Sequence, residues 1–178
     1  MNDRLKVLTL CFLALGILLI VLETTLLQSF PAWIGRPDFV FIIVAFTAYR
    51  FAWLPGLLLT FVLGWIMDSL TGINLGVYPL ECLAVFAGLK ALTTNNPLRE
   101  STYQIPLVGL SYFIVQLVTY CLYSFTLPDF LPEWSWGRVF GETGILVVAT
   151  IPCFLLLNAL SEYLQKRKLQ PRHLRRKP

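Results

Sequence analysis

The sequence predicts an all-α integral membrane protein with six transmembrane helices in one bundle, and three observations lead to this prediction. Hydrophobic residues make up 57% of the 178 residues and charged residues only 13%, against roughly 25% charged residues in soluble domains. The mean hydropathy is +0.71. Uncharged stretches of up to 28 residues separate the charges. A span needs about 20 apolar residues, so the length allows roughly five to seven spans and leaves no room for a separate soluble domain.

Four uncharged stretches of 16, 17, 28 and 19 residues are clear candidates for spans. Two further segments are shorter or interrupted: only 11 uncharged residues lie between Asp38 and Arg50, and Glu81 interrupts the other segment. Counting both gives a transmembrane domain over residues 1–165 and a basic cytoplasmic tail over residues 166–178. The predicted spans lie near residues 5–24, 37–51, 54–69, 75–92, 104–126 and 140–163.

The distribution of Lys and Arg supports six spans. With that number, 12 of the 14 basic residues lie on the side that holds both termini, and two lie on the other side. Basic residues concentrate on the cytoplasmic side of membrane proteins, so both termini are predicted to be cytoplasmic. The basic tail is expected to meet anionic lipid rather than nucleic acid. Its candidate lipid-facing residues are Arg172, Arg175, Arg176 and Lys177.

Small residues at every fourth position of the third span predict a face for close helix packing. Four residues turn a helix by about 400°, so such positions form one smooth stripe. Small side chains let another helix approach closely, and that helix belongs either to this chain or to a partner. The turn after the stripe, over residues 69–76, is predicted to be tight. The stripe and the turn comprise Gly56, Thr60, Gly64, Asp68, Gly72 and Gly76.

Three polar side chains are predicted to lie within spans, where they are costly: Glu81, Gln116 and Asn158. They are interpreted either as internal contacts between helices or as a thinly spread ligand site. Asp38, at the start of the second span, suits a helix N-terminus. The four cysteines are far apart and the chain has one histidine, so no metal site is expected. No pattern predicts a cofactor or catalytic residues, and we expect the protein not to be an enzyme.

Two ordered motifs resemble the MreD family, the rod shape-determining membrane proteins of bacteria. The first is an R-P-D opening followed by an apolar run. The second is a glycine-spaced third span followed by D-x-x-x-G-x-x-x-G. The matching residues are Arg36, Pro37, Asp38, Gly56, Gly64, Asp68, Gly72 and Gly76.

This resemblance implies a non-enzymatic scaffold subunit of the cell-wall elongation complex in the bacterial inner membrane. It implies MreC as a partner, together with RodA, its transpeptidase partner and MreB, in peptidoglycan synthesis that maintains rod shape. It also implies a fold similar to the S components of energy-coupling-factor transporters. The alternative function is a substrate-binding membrane subunit of a vitamin-type transporter. Such a subunit needs a pocket in which several polar and aromatic side chains converge.

Overall fold

The computed structural model describes residues 3–26, 37–72, 76–95, 101–126 and 134–166, and this part of the chain is all-helical. It contains six α-helices, as the sequence predicts. They are α1 (Asp3–Leu26), α2 (Phe39–Arg50), α3 (Trp53–Thr71), α4 (Val77–Asn95), α5 (Ser101–Thr126) and α6 (Trp136–Lys166).

Each helix lies at the position of one predicted span, and the bounds differ by up to four residues. Helix α3 continues to Thr71, so the predicted turn begins three residues later than residue 69. Four helices are long and apolar enough to cross a membrane: α1, α3, α5 and α6. The other two, α2 and α4, are the segments that the sequence marked as shorter or interrupted. The protein is therefore a membrane protein by the length and composition of its helices.

Helix α2 forms the centre of the molecule. It contacts all five other helices, and every residue from Val40 to Ala48 is buried. Its 12 residues span about 18 Å at 1.5 Å per residue. A helix that is apolar on all sides is typical of a position surrounded by protein. Neighbouring helices therefore cover the 11 uncharged residues of this segment.

Contacts near the helix termini define two ends of the bundle. At the end that we name the Asp38 end, the start of α2 meets the end of α1, where Phe39 N–H donates to Glu23. The end of α3 and the start of α4 lie at the same end. At the opposite end, which we name the Arg50 end, Arg50 contacts Asn158 of α6 and Tyr49 contacts Gln104 of α5. Successive helices therefore run in opposite directions.

The two faces of α4 are packed unequally. Helices α3 and α4 share the largest interface in the bundle, whereas α4 and α5 touch through few residues. Helices α5 and α6 pack as a pair, and α6 also contacts α2. The core between α1 and α2 contains stacked rings of Phe12 and Phe46, with centroids 5.6 Å apart. Because α4 and α5 touch through few residues, open space remains between these two helices.

Candidate functional site

Asp38 organises the start of the central helix. Its Oδ1 accepts the N–H of Phe41 at 2.8 Å, which is an N-cap. Both carboxylate oxygens also lie within 2.9 Å of the Tyr78 hydroxyl, which donates from α4. Glu23 of α1 accepts the N–H of Phe39 at 3.2 Å. Three helices are thus tied together at this point by the free backbone donors of α2 and by two carboxylates.

Asp68 closes the connection between α3 and α4. The N–H of Gly76 donates to its carboxylate, and the side chain is only 4% exposed. Gly72 follows the last residue of α3 and has a φ of +65°. The Gly72 N–H donates to the Asp68 carbonyl at 2.9 Å. Gly76 has a φ of +106°. Glycine adopts these positive φ values without a steric penalty, so both glycines serve the backbone of the turn.

The small-residue stripe faces α4 within the same chain. A Cβ added at Gly64 would lie 2.8 Å from the Cα of Pro79, and one at Gly56 would lie 2.6 Å from the ring of Phe86. Thr60 lies between them and is fully buried. Gly72 and Gly76 do not belong to this packing face, because a Cβ at either position would meet nothing within 4 Å. The six residues predicted for the stripe and the turn therefore have two roles. Gly56, Thr60 and Gly64 form an internal interface, and Asp68, Gly72 and Gly76 form the turn.

A cavity of about 320 Å³ opens at the Asp38 end between α4, α5 and the start of α6. It brings together polar and aromatic side chains that are far apart in sequence. Those used in the argument below are Asp38, Glu81, Tyr112, Gln116, Arg138 and Glu142. Three carboxylates and one guanidinium line this space, which makes its lining net acidic.

Hydrogen bonds hold the acidic side chains of the cavity in place. Gln116 Nε2 donates to Glu142 Oε2 at 3.0 Å, and Arg138 Nε lies 3.4 Å from Glu142 Oε1. The Thr119 hydroxyl donates to Glu81 Oε1 and also lies 2.8 Å from the Val115 carbonyl. These contacts link α4 to α5 and α5 to α6 across the cavity. Residues on separate helices therefore form two sets of polar contacts at this cavity.

Asn158 lies at the opposite end of the bundle from Glu81 and Gln116. Its Oδ1 accepts from Arg50 Nη2 at 2.6 Å. Nearby, Lys90 Nζ donates to the carbonyls of Ala48 and Phe51, at the end of α2. The three embedded polar residues therefore do not lie together. Two of them share a cavity, while Asn158 accepts from the Arg50 side chain, and Lys90 is the residue that satisfies carbonyls at the C-terminal end of the central helix.

The remaining positions of the R-P-D motif and the positions of the basic tail lie largely outside the described residues. Pro37 directly precedes the capping Asp38. The structure does not describe Arg36 or the basic tail residues Arg172, Arg175, Arg176 and Lys177.

Sequence reasoning missed most of the aromatic and hydrogen-bonding side chains of the cavity. A signal was present on α5, where Tyr112, Gln116, Thr119 and Tyr123 recur at spacings of three and four. Another was the Arg138 and Glu142 pair, four residues apart at the start of α6. Neither pattern reveals that α4 supplies the opposing Glu81.

The arrangement can bind a ligand by polar and aromatic contacts. Within the described residues, no group of three His, Cys, Asp or Glu side chains could hold a metal ion. No family model, no curated protein and no solved structure matches the chain.

Proposed function

We propose that the chain crosses the bacterial inner membrane six times, with both termini in the cytoplasm. The alternating helix directions and the concentration of 12 basic residues on one side support this topology. The Asp38 end is then the outer end, and the Arg50 end faces the cytoplasm. The basic tail would lie beside anionic lipid headgroups, where each basic residue contributes about 1 kcal/mol. Reporter fusions at each terminus test the orientation, and an outward-facing terminus would contradict it.

We propose that the protein is a non-enzymatic scaffold subunit of the cell-wall elongation complex. Its partners would be MreC, with RodA, the transpeptidase partner of RodA and MreB in the same complex, as the resemblance to the MreD family implies. The observation that supports this function best is the use of Asp38 and Asp68. Each accepts backbone N–H groups at the ends of helices. The acids of the family motif thus stabilise the outer end of the bundle, as a docking platform requires.

The outer surfaces of the helices are suited to contact with lipid or with helices of partner proteins. Large apolar side chains are exposed along α6 and at the end of α5, among them Leu155 at 68%, Leu156 at 71% and Phe125 at 91%. In a membrane such surfaces are covered by lipid tails or by other helices. A scaffold needs apolar outer faces of this kind.

Co-purification tests the scaffold function. The tagged full chain is crosslinked in its native membrane, extracted in a mild detergent and analysed by mass spectrometry. A tagged six-span protein of unrelated function is the control for nonspecific recovery. Enrichment of MreC and cell-wall synthases over that control is the expected result. Their absence, with good recovery of the tagged chain, would overturn the proposal.

A second candidate function is a substrate-binding subunit of a vitamin-type transporter, with a fold similar to energy-coupling-factor S components. The cavity at the Asp38 end favours it, because polar and aromatic groups converge there as ligand recognition requires. The same co-purification separates the two functions. Recovery of ATPase subunits with a coupling membrane protein would favour the transporter and exclude the scaffold.

A further inference from the structure

Two open spaces meet on the α5 side of α4. The first is the polar cavity of about 320 Å³. The second is an apolar groove of about 280 Å³ between α4 and α5, on the side toward the Arg50 end. Glu81 and Val115 line both spaces. The two spaces therefore adjoin at these two residues, and Glu81 lies between them.

The polar space suits a ligand group with positive charge. The Thr119 hydroxyl donates to Glu81 Oε1, while Oε2 accepts no hydrogen bond from the described residues. Asp38 and Glu142 add negative charge at the same cavity, against the single guanidinium of Arg138. Tyrosine and tryptophan rings form part of the wall, and their faces attract ammonium groups. A free carboxylate oxygen, a net acidic lining and aromatic rings together favour an ammonium group.

The apolar space suits a hydrocarbon chain. Its lining is almost entirely aliphatic, with Val85, Leu89 and Leu92 from α4 facing Leu107 and Ile114 from α5. The groove is open beside Gly88, because a Cβ at this position would meet nothing within 4 Å. In a membrane, such a groove is accessible to the chain of a lipid molecule. Because this groove adjoins the polar cavity at Glu81, one amphipathic ligand can extend from one space to the other.

We propose that the cleft between α4 and α5 binds a phospholipid whose headgroup carries an ammonium group. The ammonium lies beside Glu81, and part of one acyl chain lies along Gly88. This site goes beyond the proposed scaffold function and does not depend on which proteins co-purify. Charge complementarity at Glu81 and the adjacency of a polar and an apolar space define the ligand class.

Native mass spectrometry of the full chain in a neutral maltoside detergent tests the proposal. The probes are phosphatidylethanolamine and phosphatidylglycerol with identical acyl chains, and ethanolamine alone. The ammonium forms an ionic hydrogen bond with Glu81, so the phosphatidylethanolamine should bind at least about tenfold more tightly than the phosphatidylglycerol. One phosphatidylethanolamine per chain should saturate the site. Ethanolamine should bind far more weakly, because it cannot occupy the groove.

Two variants locate the binding. Glu81→Gln should reduce the preference for phosphatidylethanolamine to less than about threefold, since it removes the charge. Glu162→Gln, which removes a carboxylate away from the cleft, should retain the preference. Gly88→Leu fills the groove and displaces about two methylene groups of the chain, so it should weaken binding about tenfold. Gly144→Leu on α6, where a Cβ also meets nothing within 4 Å, is the matched control and should bind as the original chain does.

Several results would overturn the proposal. Equal binding of the two phospholipids to the original chain would remove the ammonium preference. Ethanolamine binding as tightly as phosphatidylethanolamine would show a site for a soluble amine without a role for the groove. Equal binding to the Gly88→Leu and Gly144→Leu variants would place the lipid elsewhere. If Glu81→Gln failed to fold, the Gly88→Leu comparison would still decide the outcome, because that position has free space.

Discussion

The two faces of α4 use glycine in opposite ways. Toward α3, Gly64 allows contact so close that a Cβ would lie 2.8 Å from the Cα of Pro79. Toward α5, a Cβ at Gly88 would meet nothing, and a groove of about 280 Å³ remains. Gly64 lies in a closely packed interface, whereas Gly88 lies beside an open one. Spacing of small residues alone therefore does not define a packing face, because the surface opposite each glycine decides its effect.

The polar side chains also differ in role between the two faces of α4. On the α3 side, Asp68 is buried and accepts the N–H of Gly76, so its role is to hold a turn. On the α5 side, Glu81 accepts from Thr119 through Oε1, and the residue lines an open cavity. The α3 face is therefore structural, and the α5 face has the properties of a binding surface.

The largest expected effect is that of Gly64→Leu on the closed face. The new side chain must displace the backbone at Pro79, which cannot rotate away as a flexible side chain can. Overpacking of this kind costs about 3 kcal/mol or more of the free energy of unfolding. Unfolding in mixed detergent, with Gly144→Leu as the control for a leucine in open space, measures it. Equal stability of the two variants would mean that α3 and α4 are not closely packed at Gly64.

Replacement of Asp38 by Ala should have the next largest effect. The substitution removes the N-cap of α2 and leaves the Tyr78 hydroxyl without its acceptor. Loss of a cap and of a partly buried hydrogen bond should together cost about 2 kcal/mol. Tyr78→Phe, which removes only the second contact, should cost about 1 kcal/mol. In the double variant the two losses should not add, and full additivity in the same unfolding assay would disprove the coupling.

The positions of the six helices could be predicted from the sequence, because charges are excluded from long apolar helices and therefore mark their ends. The 12-residue length of α2 was harder to interpret, because it is short compared with the thickness of a bilayer. The relevant environment is the five neighbouring helices, which no local pattern specifies. The tight turn after Asp68 was also predictable in kind, since Gly72 and Gly76 permit positive φ. Its start was misplaced because Ser69, Leu70 and Thr71 continue the helix.

The candidate site was predictable only in fragments. Glu81 and Gln116 were recognisable as costly polar residues, but Asn158 appeared equivalent to them and lies at the other end of the bundle. The cavity depends on Thr119 meeting Glu81 across 38 positions of sequence. That pairing follows from how α4 and α5 dock, and docking depends on side-chain volumes along both helices. Sequence spacing within one helix contains no information about it.

Replacement of Thr60 by Val should stabilise the closed face. Thr60 is fully buried, and its Oγ1 has no hydrogen-bond partner in the described part of the chain. Valine has almost the same shape and avoids the cost of burying an unpaired hydroxyl, so a gain of about 1 kcal/mol is expected. Thr150→Val is the control, because that hydroxyl donates to the Leu146 carbonyl at 2.7 Å and should not give the gain. A loss of stability in Thr60→Val would indicate a hidden partner.

The smallest expected effect on the free energy of unfolding is that of Gly88→Ala on the open face. Its expected sign is opposite to that of Gly64→Ala on the closed face. Alanine at Gly88 meets nothing, and it reduces the backbone freedom of the unfolded chain, so a gain of about 0.5 kcal/mol is expected. Gly64→Ala places the same methyl group against the Pro79 backbone and should lose stability. Unfolding of both variants in lipid-free detergent measures the pair. A loss at Gly88 would mean that α5 closes onto α4 in solution, and the cleft would then be too narrow for an acyl chain.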